Sequence, residues 1–367
     1  MTDKVECAVV GAGVVGLAAA RALALAGHEV VILESAGAIG SGISSRSSEV
    51  IHGGMYYPTE GLKARFCVQG NRMLRRYLAE RGLPHRMVGK LIVATDAAEE
   101  QKLQAILENG RRNGVDGLAP ISLAEVRQLE PALVCTSALL SPSTGILDSH
   151  AYMLSLQGDA EANGAVLALK SPVLGGEVTG NGIALAVGGD QPDRLLCRRL
   201  VNAAGLGANR LAASIEGLAA ASVPQLHLCK GNYFMLSGRQ PFGRLVYPIP
   251  ESAGIGVHYT VDMAGQGRFG PDVEWIEREN YEVDPGRADG FYGVIRRYWP
   301  GLPDGALRPG YAGVRPKIQA PGEPARDFLV QGPADHGVPG LVNLYGIESP
   351  GLTASLAIAE YVRELLQ

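Results

Sequence analysis

Two hydrophobic patterns succeed each other along the chain. In the first, an apolar run at residues 5–10 precedes a glycine turn, a helix-forming segment at 18–26 and a second apolar run at 28–33, which Glu34 ends. This order predicts a strand, a helix and a second strand of a βαβ unit. The same pattern predicts further elements: helices at 60–81, 97–113, 123–129 and 152–163, strands at 90–95, 165–169 and 195–204, a turn-rich crossing at 139–148, and a hairpin at 173–187.

The second pattern begins after residue 225. Strands are predicted at 226–236, 244–249 and 254–259, and the short turns between them are typical of an antiparallel sheet. A helix is predicted at 287–298, followed by strands at 308–318 and 327–331. The end of the chain returns to the first pattern, with a strand at 341–345, a loop, and a helix at 353–366. The two patterns therefore predict two domains, one of which is discontinuous.

The glycines between the first strand and the first helix have a specific spacing. Gly11, Gly13 and Gly16 form G-x-G-x-x-G, and Glu34 follows about 20 residues later. Such glycines permit a tight turn, a close approach of the backbone to a pyrophosphate and close packing of the helix, and the acid can accept hydrogen bonds from a ribose. The motif predicts an adenine dinucleotide and leaves open whether it is NAD or FAD.

Composition excludes several classes of protein. The 367 residues suffice for two domains with a large core, and the net charge of −4 argues against a nucleic-acid-binding face. The five cysteines are scattered and never form C-x-x-C, so we expect neither disulfides nor a zinc site, and no other pattern of metal ligands is present. The chain has no uncharged apolar run long enough for a membrane span. Because the first strand is predicted close to the start of the sequence, we expect no signal peptide. We expect a cytoplasmic protein, with peripheral attachment to the inner membrane face as an alternative.

Several motifs resemble one family. They are SSEVIHGGMYY (47–57), LKARFCVQG (62–70), GKLIVAT (89–95), KGNYF (230–234), YPIP (247–250), GIGVHYT (254–260) and YAGVRPKI (311–318). With the opening motif they resemble FAD-dependent oxidoreductases of the D-amino-acid-oxidase-like group, and most closely the L-2-hydroxyglutarate dehydrogenases and oxidases. The chain departs from that family at Ser47, where we would expect asparagine.

The resemblance implies an α/β fold in which a discontinuous FAD-binding Rossmann-like domain accompanies a second, mainly antiparallel substrate domain. We expect the FAD-binding domain at residues 1–82, 145–215 and 325–367, and the substrate domain at 83–144 and 216–324. FAD is expected to bind non-covalently. The implied cofactor contacts are Gly11, Gly13, Val14, Val15, Gly16, Glu34, Ser35, Ser45, Arg46, Ser47, His52, Val173, Ala204, Gly205, Gly351, Leu352 and Thr353. Gly351, Leu352 and Thr353 lie at the start of the predicted C-terminal helix, whose N–H groups can stabilise negative charge on a reduced flavin.

Oxidation of a 2-hydroxy acid needs a base for the hydroxyl proton, and histidine titrates near neutrality. His258 and His52 are the candidates: His258 lies in a predicted strand of the second sheet, and His52 is followed by two glycines that allow close approach to a ring. The residues alone do not decide which of the two is the base.

The substrate is expected to be a small anion. Arg315 presents a planar fork that matches a carboxylate, and Lys317 falls on the same side of the predicted strand. Tyr247, Tyr233 and Tyr57 are the other predicted substrate contacts. With these residues, the resemblance implies oxidation of an L-2-hydroxy acid such as L-2-hydroxyglutarate to the 2-oxo acid by hydride transfer to flavin N5. The alternatives are an FAD-dependent glycerol-3-phosphate dehydrogenase and an amino-acid oxidase or dehydrogenase.

The electron acceptor is not readable from the motifs. We expect no second glycine motif after a strand that would bind NAD, and this favours a quinone, another carrier or oxygen as the acceptor.

Overall fold

The computed structural model describes residues 3–190, 192–249 and 256–367. The strands of these residues are, in chain order, β1 Asp3–Val10, β2 Val30–Leu33, β3 Val50–Ile51, β4 His85–Arg86, β5 Lys90–Ala94, β6 Ala119–Ile121, β7 Ser137–Ser141, β8 Gly145–Leu147, β9 Val166–Ala168, β10 Val173–Thr179, β11 Gly182–Val187, β12 Asp193–Asn202, β13 Ile215–Glu216, β14 His227–Leu236, β15 Leu245–Pro248, β16 Tyr259–Val261, β17 Gly267–Phe269, β18 Glu274–Ile276, β19 Leu307–Lys317, β20 Leu329–Gln331 and β21 Leu341–Tyr345.

The helices are α1 Val14–Leu25, α2 Leu62–Glu80, α3 Ala97–Arg112, α4 Leu123–Leu129, α5 Ser149–Ala162, α6 Ala208–Ala213, α7 Ala288–Tyr298, α8 Pro333–His336 and α9 Gly351–Leu365, with 3-10 turns at Ile43–Arg46, Gly205–Gly207, Ala220–Ser222 and Pro285–Arg287. The chain forms two compact units. The first comprises Met1–Ser45, Ser149–His227 and Arg315–Gln367, and the second comprises Arg46–Asp148 and Leu228–Val314. The predicted domain boundaries stay a prediction.

A sheet of nine strands, counted over the described residues, forms the centre of the first unit. Its strand order is β13, β10, β11, β12, β1, β2, β9, and β21 pairs with β12 and β20. β1 pairs in parallel with β2 on one side and with β12 on the other, so the carboxyl ends of all three strands lie at one edge. Open α/β sheets bind ligands at such a point, where neighbouring connections diverge.

The apolar sequence of α1 explains how it packs. Its alanines are almost completely buried, and it lies against α9 and α5 as well as the sheet. A helix that is apolar on several sides is expected inside a domain rather than on its surface. The start of α1 is thereby held at the carboxyl end of β1.

The second unit contains a mainly antiparallel sheet. Its strand order is β18, β14, β17, β16, β15, β5, β7, β6, with β19 beside β14, and only the contact between β15 and β5 is parallel among the register pairs of the described residues. A small sheet of β3, β8 and β4 lies in the same unit. β5 has neighbours on both sides and all five of its residues are buried.

Local signals set the ends of the helices on this sheet. The Asp96 side chain accepts a hydrogen bond from the Glu99 N–H at the start of α3, and Arg111 and Arg112 lie in its last turn. Ser122 and Glu125 form a reciprocal capping box at the start of α4. Both arrangements satisfy N–H groups that a helix leaves unpaired and place charge favourably along its dipole.

The predicted α/β fold is confirmed, with a mostly parallel sheet in a discontinuous first unit and a mainly antiparallel sheet in the second. The segment 139–148, predicted as a turn-rich crossing, contains one turn at 142–143, but that turn joins two strands that were not predicted, β7 and β8. The short strands β6, β17 and β18 were not predicted. The predicted strand at 254–259 lies partly outside the described residues, and in the described part His258 precedes β16 instead of ending a strand.

Candidate active site

The turn after β1 is built so that only glycine fits. Gly11 has a φ of +103°, and a Cβ there would lie 2.5 Å from the Ala203 carbonyl oxygen. A Cβ on Gly16 would lie 1.9 Å from the Gly11 carbonyl oxygen, so any side chain would force α1 away from the turn. Gly13 immediately precedes α1 and provides no side-chain cap, and Val14 and Val15 begin the helix. The glycines therefore bring a helix start directly over the end of β1, the geometry that binds a pyrophosphate.

Glu34 follows β2 at the same edge of the sheet. One carboxylate oxygen accepts a hydrogen bond from the Ala12 N–H at 2.7 Å, and the other accepts from the Ala36 N–H at 2.8 Å and the Ser35 hydroxyl at 3.2 Å. These bonds fix the carboxylate beside the glycine turn. The arrangement suits hydrogen bonding to a ribose diol.

A serine of the following loop was missed from the sequence. The Ser44 hydroxyl accepts a hydrogen bond from the Val14 N–H at 3.0 Å, and thereby caps α1 from a distant position in the chain. The predicted Ser45 instead donates to the Gly42 carbonyl at 3.0 Å. The pattern of serines in this loop carries no signal that would single out Ser44.

The other cofactor residues predicted in this unit lie on neighbouring segments. Ala204 and Gly205 follow β12, whose end adjoins the end of β1. Val173 begins β10 two residues after Ser171, whose N–H donates to the Glu34 carbonyl oxygen at 2.8 Å. Gly351, Leu352 and Thr353 form the first turn of α9, which follows β21. The structure thus brings the turn, Glu34, Val173 and the β12 end together, and these residues fit an adenine dinucleotide such as FAD.

Arg46 and Ser47 belong to the second unit. The Arg46 guanidinium lies 4.2 Å from the centroid of the Tyr281 ring and donates a long hydrogen bond of 3.5 Å to the Ala312 carbonyl oxygen. The Ser47 hydroxyl accepts from the Glu49 N–H at 3.3 Å, and the Ser47 carbonyl oxygen accepts from the Tyr311 hydroxyl at 3.1 Å. Their predicted contacts with FAD stay predictions.

His52 lies just after β3 in the second unit, and Asn71 fixes its backbone. The Asn71 amide donates to the His52 carbonyl oxygen at 2.9 Å. Burial and the nearby Lys90 ammonium hold the pKa of His52 well below 6.5. Because the ring is then neutral at pH 7, it can accept a proton from a substrate hydroxyl.

The second histidine stacks on a tyrosine. The His258 and Tyr247 rings have centroids 3.5 Å apart and planes inclined by 13°, and both residues are buried. Burial, followed by the neighbouring Tyr56 and Tyr233, raises the pKa of Tyr247 well above 10. Tyr247 is therefore a neutral phenol at all ordinary pH values and can hold the imidazole in one orientation.

Two buried cations of this unit were missed from the sequence. Lys90, the first residue of β5, has its ammonium 3.8 Å from the Tyr247 ring centroid. The Arg268 guanidinium donates to the Thr260 hydroxyl at 3.2 Å and to the Ser48 carbonyl oxygen at 2.7 Å. In the sequence, each appears only as a charged residue in a strand pattern. That pattern is typical of strands whose charged side chains face solvent, so it gave no reason to expect a buried cation.

The remaining predicted substrate residues are more scattered. Tyr233 stacks on Tyr311 with ring centroids 4.5 Å apart, and the Tyr57 carbonyl oxygen accepts from the amides of Asn109 and Asn113. Arg315 and Lys317 belong to the first unit, where the alternation of β19 puts both on one side of the strand. The Lys317 ammonium is already paired with the Glu348 carboxylate at 2.6 Å.

The described residues contain no group of three or more His, Cys, Asp or Glu placed to hold a metal ion, and none of their helices is long and apolar enough to cross a membrane. The G-x-G-x-x-G spacing recurs at residues 265–270, which the prediction passed over. There the chain turns from β16 into β17 instead of entering a helix, so this second spacing does not build a dinucleotide site.

Comparison with known proteins assigns the family. Residues 6–365 match the model of the FAD dependent oxidoreductase family. The chain is 46% identical over 400 residues to a mitochondrial L-2-hydroxyglutarate dehydrogenase of Arabidopsis thaliana, covering 98% of this chain and 83% of the relative. It is 30% identical to the corresponding enzyme of Pongo abelii, covering 100% of this chain and 88% of the relative.

A solved structure shows the same fold. The dithionite-reduced L-alpha-glycerophosphate oxidase of Mycoplasma pneumoniae, with FAD bound, superimposes with a TM-score of 0.88 at 22% identity, covering 100% of this chain and 95% of that one. The glycine turn, Glu34 and the matched family together account for the dinucleotide geometry of the first unit. The chain belongs to the FAD dependent oxidoreductase family, together with these L-2-hydroxyglutarate dehydrogenases.

Proposed function

We propose that this enzyme oxidises an L-2-hydroxy acid of the L-2-hydroxyglutarate type to the 2-oxo acid. The substrate class is supported by the 46% identity, over 98% of the chain, to the Arabidopsis thaliana L-2-hydroxyglutarate dehydrogenase. The second unit supports it, because His52, His258, Lys90 and Arg268 provide proton acceptors and buried positive charge suited to an anionic substrate.

FAD, when bound, supplies the hydride acceptor for this reaction. The glycine turn, Glu34 and the first turn of α9 are the residues of the first unit that would hold it. Oxidation at C2 also releases the hydroxyl proton, and we assign its acceptance to His52, whose lowered pKa keeps the ring neutral at pH 7. We assign orientation of the substrate to His258, because stacking on Tyr247 restrains its ring.

The histidine assignment is tested by matched substitutions. His52→Asn is expected to slow anaerobic flavin reduction roughly 100-fold or more, since a positioned base contributes about 10²–10⁴-fold. His258→Asn should mainly raise the substrate concentration needed for half-maximal rate. His150→Asn is the control, because His150 is exposed. A His52→Asn enzyme that retains more than a third of the wild-type reduction rate would refute the assignment of the base.

Anaerobic flavin reduction tests the substrate class, with glycerol-3-phosphate and amino acids as the comparison substrates. We propose that electrons pass to a quinone, another carrier or oxygen, and anaerobically reduced enzyme mixed with each acceptor in turn tests this by the rate of reoxidation. We propose a cytoplasmic location, with the inner membrane face as the alternative, and fractionation of cells distinguishes them. The Arabidopsis and Pongo relatives are named as mitochondrial.

A further inference from the structure

A lysine is buried in the second unit, and none of the described residues gives it an anionic partner. Lys90 is 0% exposed, and no group of the described residues accepts a hydrogen bond from its ammonium. Lys90 lies in an internal strand of the sheet, because it is opposite Leu245 of β15 on one side and Ser141 of β7 on the other. Its side chain shares one face of β5 with Ile92 and Ala94, which belong to a hydrophobic cluster.

Two tyrosine rings lie close to the Lys90 ammonium. The Lys90 ammonium lies 3.8 Å from the Tyr247 ring centroid, and the His258 ring is stacked on Tyr247 at 3.5 Å. Two groups this close to the centroid would collide on one face, so Lys90 and His258 occupy opposite faces of the tyrosine. The same ammonium is 5.4 Å from the centroid of the Tyr56 ring. The Tyr56 hydroxyl is also buried with no hydrogen-bond partner among the described residues.

Two buried polar groups without partners among the described residues require an explanation. A buried ammonium without a partner is costly, and a buried hydroxyl adds a smaller cost of the same kind. Contact with the Tyr247 ring compensates for only part of the lost hydration. No Asp or Glu carboxylate of the described residues forms an ion pair or hydrogen bond with the Lys90 ammonium, so none of them neutralises it. An incoming carboxylate would give the ammonium an acceptor, and the Tyr56 hydroxyl is a second donor whose ring lies nearby.

We propose that Lys90, assisted by Tyr56, binds the second carboxylate of a dicarboxylate substrate and makes the enzyme select dicarboxylates over monocarboxylates. The inference rests on the proposed function, because it concerns the substrate of the same reaction. Lys90 would thus determine specificity. A monocarboxylate 2-hydroxy acid has only the carboxylate next to the reacting carbon, so it provides no second carboxylate for the Lys90 ammonium. The cost of that unpaired ammonium provides the discrimination.

The protonation state of Lys90 should make dicarboxylate binding depend on pH. Burial lowers the pKa of Lys90 to about 7, and the groups that face it are Cys67, His52, Tyr56 and Tyr247. Burial raises the pKa of Cys67 to about 12, so that thiol stays neutral, as do both tyrosines and His52 at pH 7 to 9. Because the bound carboxylate requires the ammonium form, affinity for a dicarboxylate should fall about tenfold for each pH unit above about 7. An arginine at this position would remain charged.

The decisive experiment measures binding to the flavin-loaded enzyme by calorimetry. Glutarate is the dicarboxylate probe and butyrate the monocarboxylate probe, since neither has a hydroxyl to oxidise. Lys90→Met is expected to weaken glutarate binding about 100-fold at pH 7, the loss typical of a removed buried charge partner, and to change butyrate binding less than about twofold. Lys102→Met is the matched control on an exposed lysine of α3. Lys90→Arg should bind glutarate with no pH dependence between 7 and 9.

Other outcomes would overturn the proposal. Equal weakening of glutarate and butyrate would mean that Lys90 serves a group common to all 2-hydroxy acids, and unchanged glutarate binding would exclude a role in binding. A lower maximal rate of flavin reduction by L-2-hydroxyglutarate with unchanged half-saturation would make Lys90 a base. If Lys90→Met does not fold, the pH dependence of Lys90→Arg decides. Failure of the wild-type flavin to be reduced by any 2-hydroxy acid would refute the proposed function, whereas glutarate binding still reports on Lys90.

Discussion

Replacing Lys90 by methionine should make the enzyme more stable, although the residue is completely buried. Removal of a well-packed buried side chain usually destabilises a protein. Lys90 differs because its ammonium has no partner among the described residues, and methionine fills a similar volume without a charge. We therefore expect Lys90→Met to unfold at a higher denaturant concentration than the wild type.

The pKa of Lys90 sets the size of this effect. Burial lowers that pKa from 10.5 to about 7, and a difference of about 3.5 between the unfolded and folded values corresponds to about 5 kcal/mol of destabilisation when the group is protonated. Between pH 7 and 10.5 the unfolded chain binds more protons at this site than the folded chain, so the stability of the wild type rises with pH. The cost is complete below pH 7, falls to about 1 kcal/mol near pH 9.5 and vanishes above 10.5.

Chemical denaturation of both proteins at pH 7, 8, 9 and 9.5, with excess FAD, measures the difference. We expect Lys90→Met to be more stable by about 4–5 kcal/mol at pH 7, and this advantage to shrink steadily with rising pH. Lys102→Met should differ from the wild type by less than about 0.5 kcal/mol at every pH. A Lys90→Met protein that is less stable than the wild type, or an advantage that does not change with pH, would contradict a Lys90 ammonium that is buried without a partner among the described residues.

Three further predictions concern the cofactor. Gly16→Ala places a Cβ 1.9 Å from the Gly11 carbonyl oxygen, so the purified protein should contain little FAD, as measured by its absorbance ratio; a normal flavin content would contradict the tight turn. Glu34→Gln loses an acceptor for the Ala12 or Ala36 N–H and should weaken FAD binding about tenfold in a fluorescence titration, while unchanged affinity would remove Glu34 from the site. Acid precipitation should release all the yellow colour to the supernatant; colour retained in the pellet would show a covalent flavin.

Local patterns predicted the strand, glycine turn and helix that we expect to hold the dinucleotide. The strand, glycine turn and helix of the first unit lie within about 30 consecutive residues, so each signal acts on its immediate neighbours. The glycine spacing determined both the turn and the position of α1. Glu34 was predicted by its distance along the chain, and the structure holds its carboxylate beside that turn.

Residues whose role depends on distant strands were not predicted. Lys90 begins an apolar strand, and nothing in its neighbourhood in sequence indicates that Leu245 and Ser141 will enclose it. The strands β7, β17 and β18 were missed for a similar reason, since three to five residues carry little periodic signal and acquire their structure from pairing. Ser44 caps α1 across 30 residues of chain, which no local capping pattern reveals.

Anaerobic flavin reduction shows directly which substrate the enzyme oxidises. Purified wild-type enzyme is mixed without oxygen with L-2-hydroxyglutarate, L-2-hydroxybutyrate, glycerol-3-phosphate and an amino acid in turn, and the flavin absorbance is followed. We predict rapid bleaching by L-2-hydroxyglutarate, bleaching by L-2-hydroxybutyrate only at much higher concentration, and none by the other two. Bleaching by glycerol-3-phosphate or the amino acid, with none by either 2-hydroxy acid, would contradict the proposed function.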